Sequence, residues 1–347
     1  MGQPQILTRG ARTTGTVAAG LIALISLVWI VRDLAETEGP GSVWWMWSGL
    51  PAADYSGQGV GVTGLTDLVL VLVCGAVAVT APRSPSATSA LVAAGLLTVA
   101  LRVPSLWILT SDWMRLWGDQ DQRTQALASA GTAVGLGVVL LITAAVGRRA
   151  PDHGGYGGYG YPPAPAGPDE EPVRPGNGAA ATAFLCLGAA ACVRAAWEVY
   201  YVQEYGWDVY RSALTGGRNN VLSLLYTPSA WGALTVVLIA LVAAVAALRH
   251  AAFSRPLGMA AATAIGLWGA LGLSVAVKAD LFDGLWDATL NLQLTVLSSA
   301  FYVLAGIVAL LALAARGAHG PAGGAPAWDR APASYGPPPP SSPPPGW

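Results

Sequence analysis

"VGVTGLTDLVLVLVCGAVAVTA", residues 60–81, is apolar from end to end except for a few threonines and one carboxylate, Asp67. A helix needs roughly 20 mostly apolar residues to cross a hydrocarbon core, and this run has that length. The next run, "ATSALVAAGLLTVALRVPSLWIL" at 87–109, is of the same kind and carries Arg102 and Pro104. Only the five residues 82–86 separate the two. If Asp67 and Arg102 neutralise one another, both runs are membrane helices and the chain is a bundle in lipid.

Composition supports that solvent. Of 347 residues, 54% are hydrophobic and 11% charged, where a soluble domain carries about 25% charged residues. Uninterrupted apolar runs occur at 13–31, 126–146, 230–248, 257–277 and 294–315. A third charged run, 179–202, holds Arg194 and Glu198. With 60–81 and 87–109 the expectation is eight transmembrane helices and an all-α, polytopic fold. The first run is read as a retained helix. It is long for a signal peptide, and Trp-Ile-Val-Arg-Asp follows it where small cleavage-site residues would stand.

Basic residues orient the chain. With the amino terminus inside, the inner segments hold Arg9, Arg12, Arg83, Arg148, Arg149, Arg174, Arg249, Arg255, Arg316 and Arg330 against five acids. The outer loops and helix ends are net acidic, so both termini are expected in the cytoplasm. The bias to arginine, alanine and glycine points to a bacterial plasma membrane. Cys74, Cys186 and Cys192 all fall inside predicted spans, where they read as small packing residues.

Residues 148–178 are rich in glycine, tyrosine and proline, with no apolar set able to form a core. They read as a disordered cytoplasmic linker between two four-helix units at 13–147 and 179–316, after a cytoplasmic segment 1–12. Three short matches recur in order across it: Val31-Arg32 and Glu36 against Val193-Arg194 and Glu198, the stretch ending at Arg102 against that ending at Lys278, and Leu116-Trp117 against Leu285-Trp286. They predict a tandem duplication. An even number of helices per unit makes the repeats parallel.

Charges within lipid cost several kcal/mol unless paired or wetted, and so mark candidate sites. Asp67 and Arg102 both fall roughly 21–23 Å above the inner boundary. Arg194 lies at a similar depth, with Glu198, Arg32 and Lys278 nearer the outer interface. An Asp67–Arg102 ion pair is predicted, and the i,i+4 spacing places Arg32–Glu36 and Arg194–Glu198 each on one helix face. Two readings stay open: structural ion pairs, or an outward polar vestibule between the repeats lined by Asp67, Arg102, Arg194, Glu198 and Lys278.

Catalytic motifs are wanting. Gly59-Val60-Gly61-Val62-Thr63-Gly64 spells the dinucleotide fingerprint but lacks the preceding strand. The three histidines, His153, His250 and His319, all fall in predicted cytoplasmic segments, which argues against haem or a metal centre in the membrane. Gly-Asp-Gln-Asp-Gln at 118–122 lacks the ligand ladder of a calcium loop. No cofactor, metal or nucleic-acid site is expected. Gly131, Gly135 and Gly137, and Gly266, Gly269 and Gly272, permit close helix approach, either within the bundle or between copies.

Of 14 tryptophans, 11 fall on the predicted outer side, among them Trp44, Trp45, Trp47, Trp113, Trp117, Trp207 and Trp286. Interfacial anchoring should enrich both faces, so this one-sidedness suggests an aromatic, acidic outer cap. Such surfaces suit sugars, organic cations or another protein. The proline-dense tail, 317–347, reads as an extended segment with Trp328, Tyr335 and Trp347 as anchors for a cytoplasmic partner.

In composition and topology alone the chain resembles polytopic integral membrane proteins of actinobacteria that belong to no characterised family; the likeness implies no functional residues. Three functions remain open. The first is a non-enzymatic scaffold or accessory protein using the cap and tail, in contact with the lipid bilayer. The second is a transporter or channel using the vestibule. The third is an enzyme acting on a lipid-linked substrate, for which Asp33, Glu36, Glu198 and Asp208 are the available acids.

Overall fold

The computed structural model describes residues 6–49, 61–116, 119–149, 174–217 and 222–315. Among them are ten α-helices: α1 (Arg9–Glu36), α2 (Pro40–Ser48), α3 (Leu65–Thr80), α4 (Ala87–Thr110), α5 (Gln120–Val146), α6 (Asn177–Tyr205), α7 (Trp207–Thr215), α8 (Ser229–Leu248), α9 (Ser254–Lys278) and α10 (Leu290–Ala314). A short 3₁₀ turn covers Asp112–Leu116, and the two-residue strands β1 (Ile6–Leu7) and β2 (Arg148–Arg149) pair antiparallel. Trp117, the tail 317–347 and most of the linker lie outside the described residues.

Seven helices, all of the long ones except α3, are long and apolar enough to cross a membrane. Their flanks are wider than the apolar runs: α1 starts at Arg9, capped by the Thr8 hydroxyl, and α6 starts at Asn177. Large aliphatic side chains such as Val28, Leu185, Leu238 and Leu311 stand exposed on the bundle surface, as lipid-facing positions require.

The eighth predicted span is shorter than expected. α3 has 16 residues, about 24 Å of helix, and begins at Leu65 rather than residue 60. The cause is Asp33 on α1, which is 2% exposed. Its carboxylate accepts from Val62 N–H (3.1 Å), Thr63 N–H (2.7 Å) and the Thr63 hydroxyl (2.6 Å). Those bonds hold 61–64 extended, and the Gly61 and Val62 carbonyls accept from Leu224 and Leu225 N–H across the bundle. Irregular backbone at such a position survives only where the protein supplies partners for it, and here Asp33, Asp67, Leu224 and Leu225 supply most of them.

Within each half the same helix pairs touch. α1 packs on α3 and α5 and α4 on α5, just as α6 packs on α8 and α10 and α9 on α10. Glycines set the closest approaches. A Cβ at Gly95 would meet the Gly137 carbonyl at 2.9 Å, and one at Gly269 would meet the Ser299 carbonyl at 2.7 Å. Thus Gly137, Gly266 and Gly269 serve internal packing, whereas Gly131 and Gly135 face open space. Trp29 Nε1 donates to Ser129 Oγ between α1 and α5, and Trp197 Nε1 donates to Ser298 Oγ between α6 and α10, both at 3.0 Å.

The short helices α2 and α7 and the 3₁₀ turn all lie at one end of the bundle, here termed the cap end. At the opposite end arginines close the chain. Arg12 donates to the Leu7 and Ser84 carbonyls, and Arg255 to those of Leu313 and Ala315 at the end of α10.

Candidate functional site

Arg102 and Asp67 lie together at the cap end, 1% and 0% exposed. Arg102 Nη2 donates to Asp67 Oδ1 and to Ser26 Oγ on α1 (3.0 Å), while Nη1 reaches the Leu225 carbonyl (3.4 Å). Asp67, at the third position of α3, turns its other oxygen back to Gly64 N–H (3.0 Å). One guanidinium therefore ties α1, α3, α4 and the loop before α8. Removing either partner would strand a buried charge, so this pair holds the architecture.

Pro104 adds a second tie between the halves. With no N–H it leaves the Ala100 carbonyl without its helical donor, and Trp231 Nε1 from α8 fills the vacancy at 2.7 Å. One residue on, the Leu101 carbonyl accepts the Thr227 hydroxyl at 2.9 Å. Trp107 and Trp231 meet edge to face with centroids 5.6 Å apart.

The "WWMW" stretch is α2, and it is fastened rather than displayed. Trp44 Nε1 donates to Ser274 Oγ on α9 (2.7 Å), Trp47 Nε1 to Thr63 Oγ1 (3.0 Å), and Lys278 Nζ lies 4.2 Å from the centre of the Trp45 ring. A Cβ on Gly61 would strike Met46 Sδ. Trp113 packs in a cluster with Ile108 and Met114. Only Trp207 and Trp286 among the described candidates stand largely exposed, at 59% and 77%. Within the aromatic cap foreseen from sequence, α2 is a clamp across both halves, because the Trp44 and Trp47 indole N–H groups find partners inside the protein.

Nor do the five charged candidates converge on one space. Asp67 and Arg102 are consumed in the buried pair, and Lys278 covers Trp45. Arg32, foreseen opposite Glu36, pairs with Asp33 at 2.9 Å. Arg194 Nη2 does meet Glu198 Oε1, at 2.6 Å.

That last pair borders a cavity of about 410 Å³ inside the second half, capped by α2 and residues 63–66. Trp47, Ser48 and Leu222 line its cap-end part, and it descends between α6, α8, α9 and α10 to Ala240, Ile265 and Tyr302. Ala240 lies 11 residues and Tyr302 12 residues from the cap-end starts of their helices, so the floor is roughly 16–18 Å down. Below it the helices close up, since a Cβ on Gly258 would meet Leu313 and Leu187 side chains at 2.6 and 3.2 Å.

Val236, Val237 and Leu271 supply apolar wall; Thr66, Thr227, Thr295 and Ser299 make a hydroxyl-bearing stripe; Arg194 is the one charged side chain lining it among the described residues. Volume and lining suit a small-molecule site. The sequence reading missed the cavity because its walls are alanines, valines and hydroxyl residues that ordinary packing also uses.

Glu198 faces a second space of about 310 Å³ between α6, α7 and α8, with Tyr201, Tyr205 and Tyr210. Tyr210, on α7, is pushed up to about 12 by burial and by the adjacent Glu198 carboxylate. No cluster of three or more histidines, cysteines or acids able to hold a metal occurs among the described residues. No protein-family model, curated protein or solved structure matches the chain.

Proposed function

We propose a non-enzymatic, multi-pass protein of the bacterial plasma membrane whose second half binds a small amphipathic molecule entering from the extracytoplasmic side. The observation that carries this is the cavity of about 410 Å³, which is bordered by α2 at the cap end and reaches roughly 16–18 Å down the bundle. The first half acts as its scaffold, through the Asp67–Arg102 pair, the Ala100–Trp231 tie and the α2 clamp. Two of the four acids available for chemistry are engaged elsewhere: Asp33 latches 61–64 and Glu198 holds Arg194.

Three finer readings belong to this proposal. The shared packing pairs and the two Trp–Ser bonds support a tandem duplication of parallel four-helix units. The helix α3 with the hydrogen-bonded segment 61–64 supports an eighth crossing. The arginine-rich end supports cytoplasmic termini, which makes the cap end the outer one and leaves the proline-rich tail inside as a docking arm for a protein partner.

The test is saturation-transfer NMR of phenyl phosphate, benzyl alcohol and phenyltrimethylammonium against the full chain held in amphipol. At least one should show transfer that Val236→Phe abolishes while melting is retained; transfer from none contradicts the proposal. A transporter is the second reading, favoured by the close-packed layer at Gly258 beneath a cavity that reaches the cap end. Flux into liposomes that Val236→Phe blocks would single it out.

A further inference from the structure

The polar atoms around the cavity are unequally served. Arg194 Nη2 is fixed on Glu198, yet its Nε is buried with no hydrogen-bond partner, as are the hydroxyls of Tyr302 and Ser223. All three residues line the cavity, and Tyr302 lies within electrostatic reach of Arg194 and, less strongly, of Glu198. An arginine Nε can only donate. Buried donors left unmade carry a desolvation cost that a partner removes. Whatever fills the floor must therefore bring an acceptor, and the strongest acceptor for a guanidinium is an oxyanion.

Glu198 does not compete for that place. It is absent from the cavity lining, and it borders the tyrosine-lined space, which Arg194 also reaches. Of the pair, the cation alone lines the cavity. The start of α8, which has no side-chain cap, lies on the same wall and adds positive partial charge. Opposite stand Val237, Ala240 and Ile265, which suit an apolar body and not a bare ion.

We propose that the cavity selects a compact organic oxyanion, a phosphate or carboxylate on an apolar body, seated on Arg194 Nε and the Tyr302 hydroxyl. This rests on the cavity being the ligand site, and the same three phenyl probes separate the two claims. Phenyl phosphate should bind at least about tenfold more tightly than benzyl alcohol or phenyltrimethylammonium, a preference worth about 1.4 kcal/mol. Tyr302→Phe deletes only an unpartnered hydroxyl, so the fold is kept, and it should reduce phenyl phosphate binding several-fold without touching benzyl alcohol. Arg194→Gln should erase the preference.

Two further probes fix the source of the oxyanion. Dodecyl phosphate binding more tightly than phenyl phosphate would support the contact and assign a lipid headgroup; the reverse order would support it and assign a free organic acid. Inorganic phosphate matching phenyl phosphate would overturn the apolar half of the assignment. Equal binding of the three phenyl probes, or an unchanged preference in Tyr302→Phe and Arg194→Gln together, overturns the oxyanion assignment and leaves the cavity proposal standing. Binding of none overturns both.

Discussion

Trp231 Nε1 sits 2.7 Å from the Ala100 carbonyl, the one that Pro104 leaves without a helical donor. A break in one helix is thereby the joint to another. Trp231→Phe strands that carbonyl and should cost about 1–3 kcal/mol, read as earlier unfolding in detergent. Adding Pro104→Ala restores a helical N–H and should recover part of the loss. Strict additivity in the double-mutant cycle would contradict the joint.

The Asp67–Arg102 pair makes a second prediction. Arg102→Met leaves a buried carboxylate and should cost about 3–5 kcal/mol. Combining it with Asp67→Asn should return much of that stability. The charge exchange Asp67→Arg with Arg102→Asp should fail to rescue, because Asp67 also serves Gly64 N–H and Arg102 also serves Ser26 and Leu225. Full rescue by exchange would mean that charge alone matters there.

Asp33 latches the segment before α3 to α1. Asp33→Ala removes the acceptor of three donors at Val62 and Thr63, each charge-assisted bond being worth about 1.5–3 kcal/mol. Amide exchange at those two residues should accelerate while α5 and α10 stay protected. Unchanged exchange at 62 and 63 would refute the latch.

Tyr210 offers a pH readout outside the spans. Its hydroxyl, pushed up to about 12, stays neutral past the ordinary tyrosine range. Because the folded value is raised, the stability it contributes is complete below pH about 10 and is lost as pH rises toward 12. Phenolate absorbance should include a late-titrating component, part of which Glu198→Gln shifts earlier and Tyr210→Phe removes. No shift in that variant would detach Tyr210 from Glu198.

Hydropathy made most of the bundle legible, since seven runs of about twenty apolar residues leave little other choice. The short loop 82–86 made Asp67 and Arg102 neighbours before any coordinates. What stayed hidden depends on long-range bonds. Nothing within 60–81 signals that residues 61–64 are extended, because the cause is Asp33 on another helix. The short motif matches and the contacts give different spacings: Val31 and Val193 stand 162 residues apart, whereas α1 and α6 begin 168 apart, and the Trp29–Ser129 and Trp197–Ser298 bonds are spaced by 168 and 169. The WWMW stretch looked like a surface because indole partners on α9 and at Thr63 cannot be read from its neighbours. Arg194 was legible as a charge at depth, but not as the edge of a cavity.

The central claim is that the second half encloses a ligand site, and photolabelling tests it most directly. A diazirine-bearing benzoate applied to membranes containing the full chain should label peptides around 222–240, 265–275 and 295–302, with competition by phenyl phosphate and loss in Val236→Phe. Labelling confined to outward-facing positions such as Leu238 and Leu311, unaffected by phenyl phosphate, would contradict it.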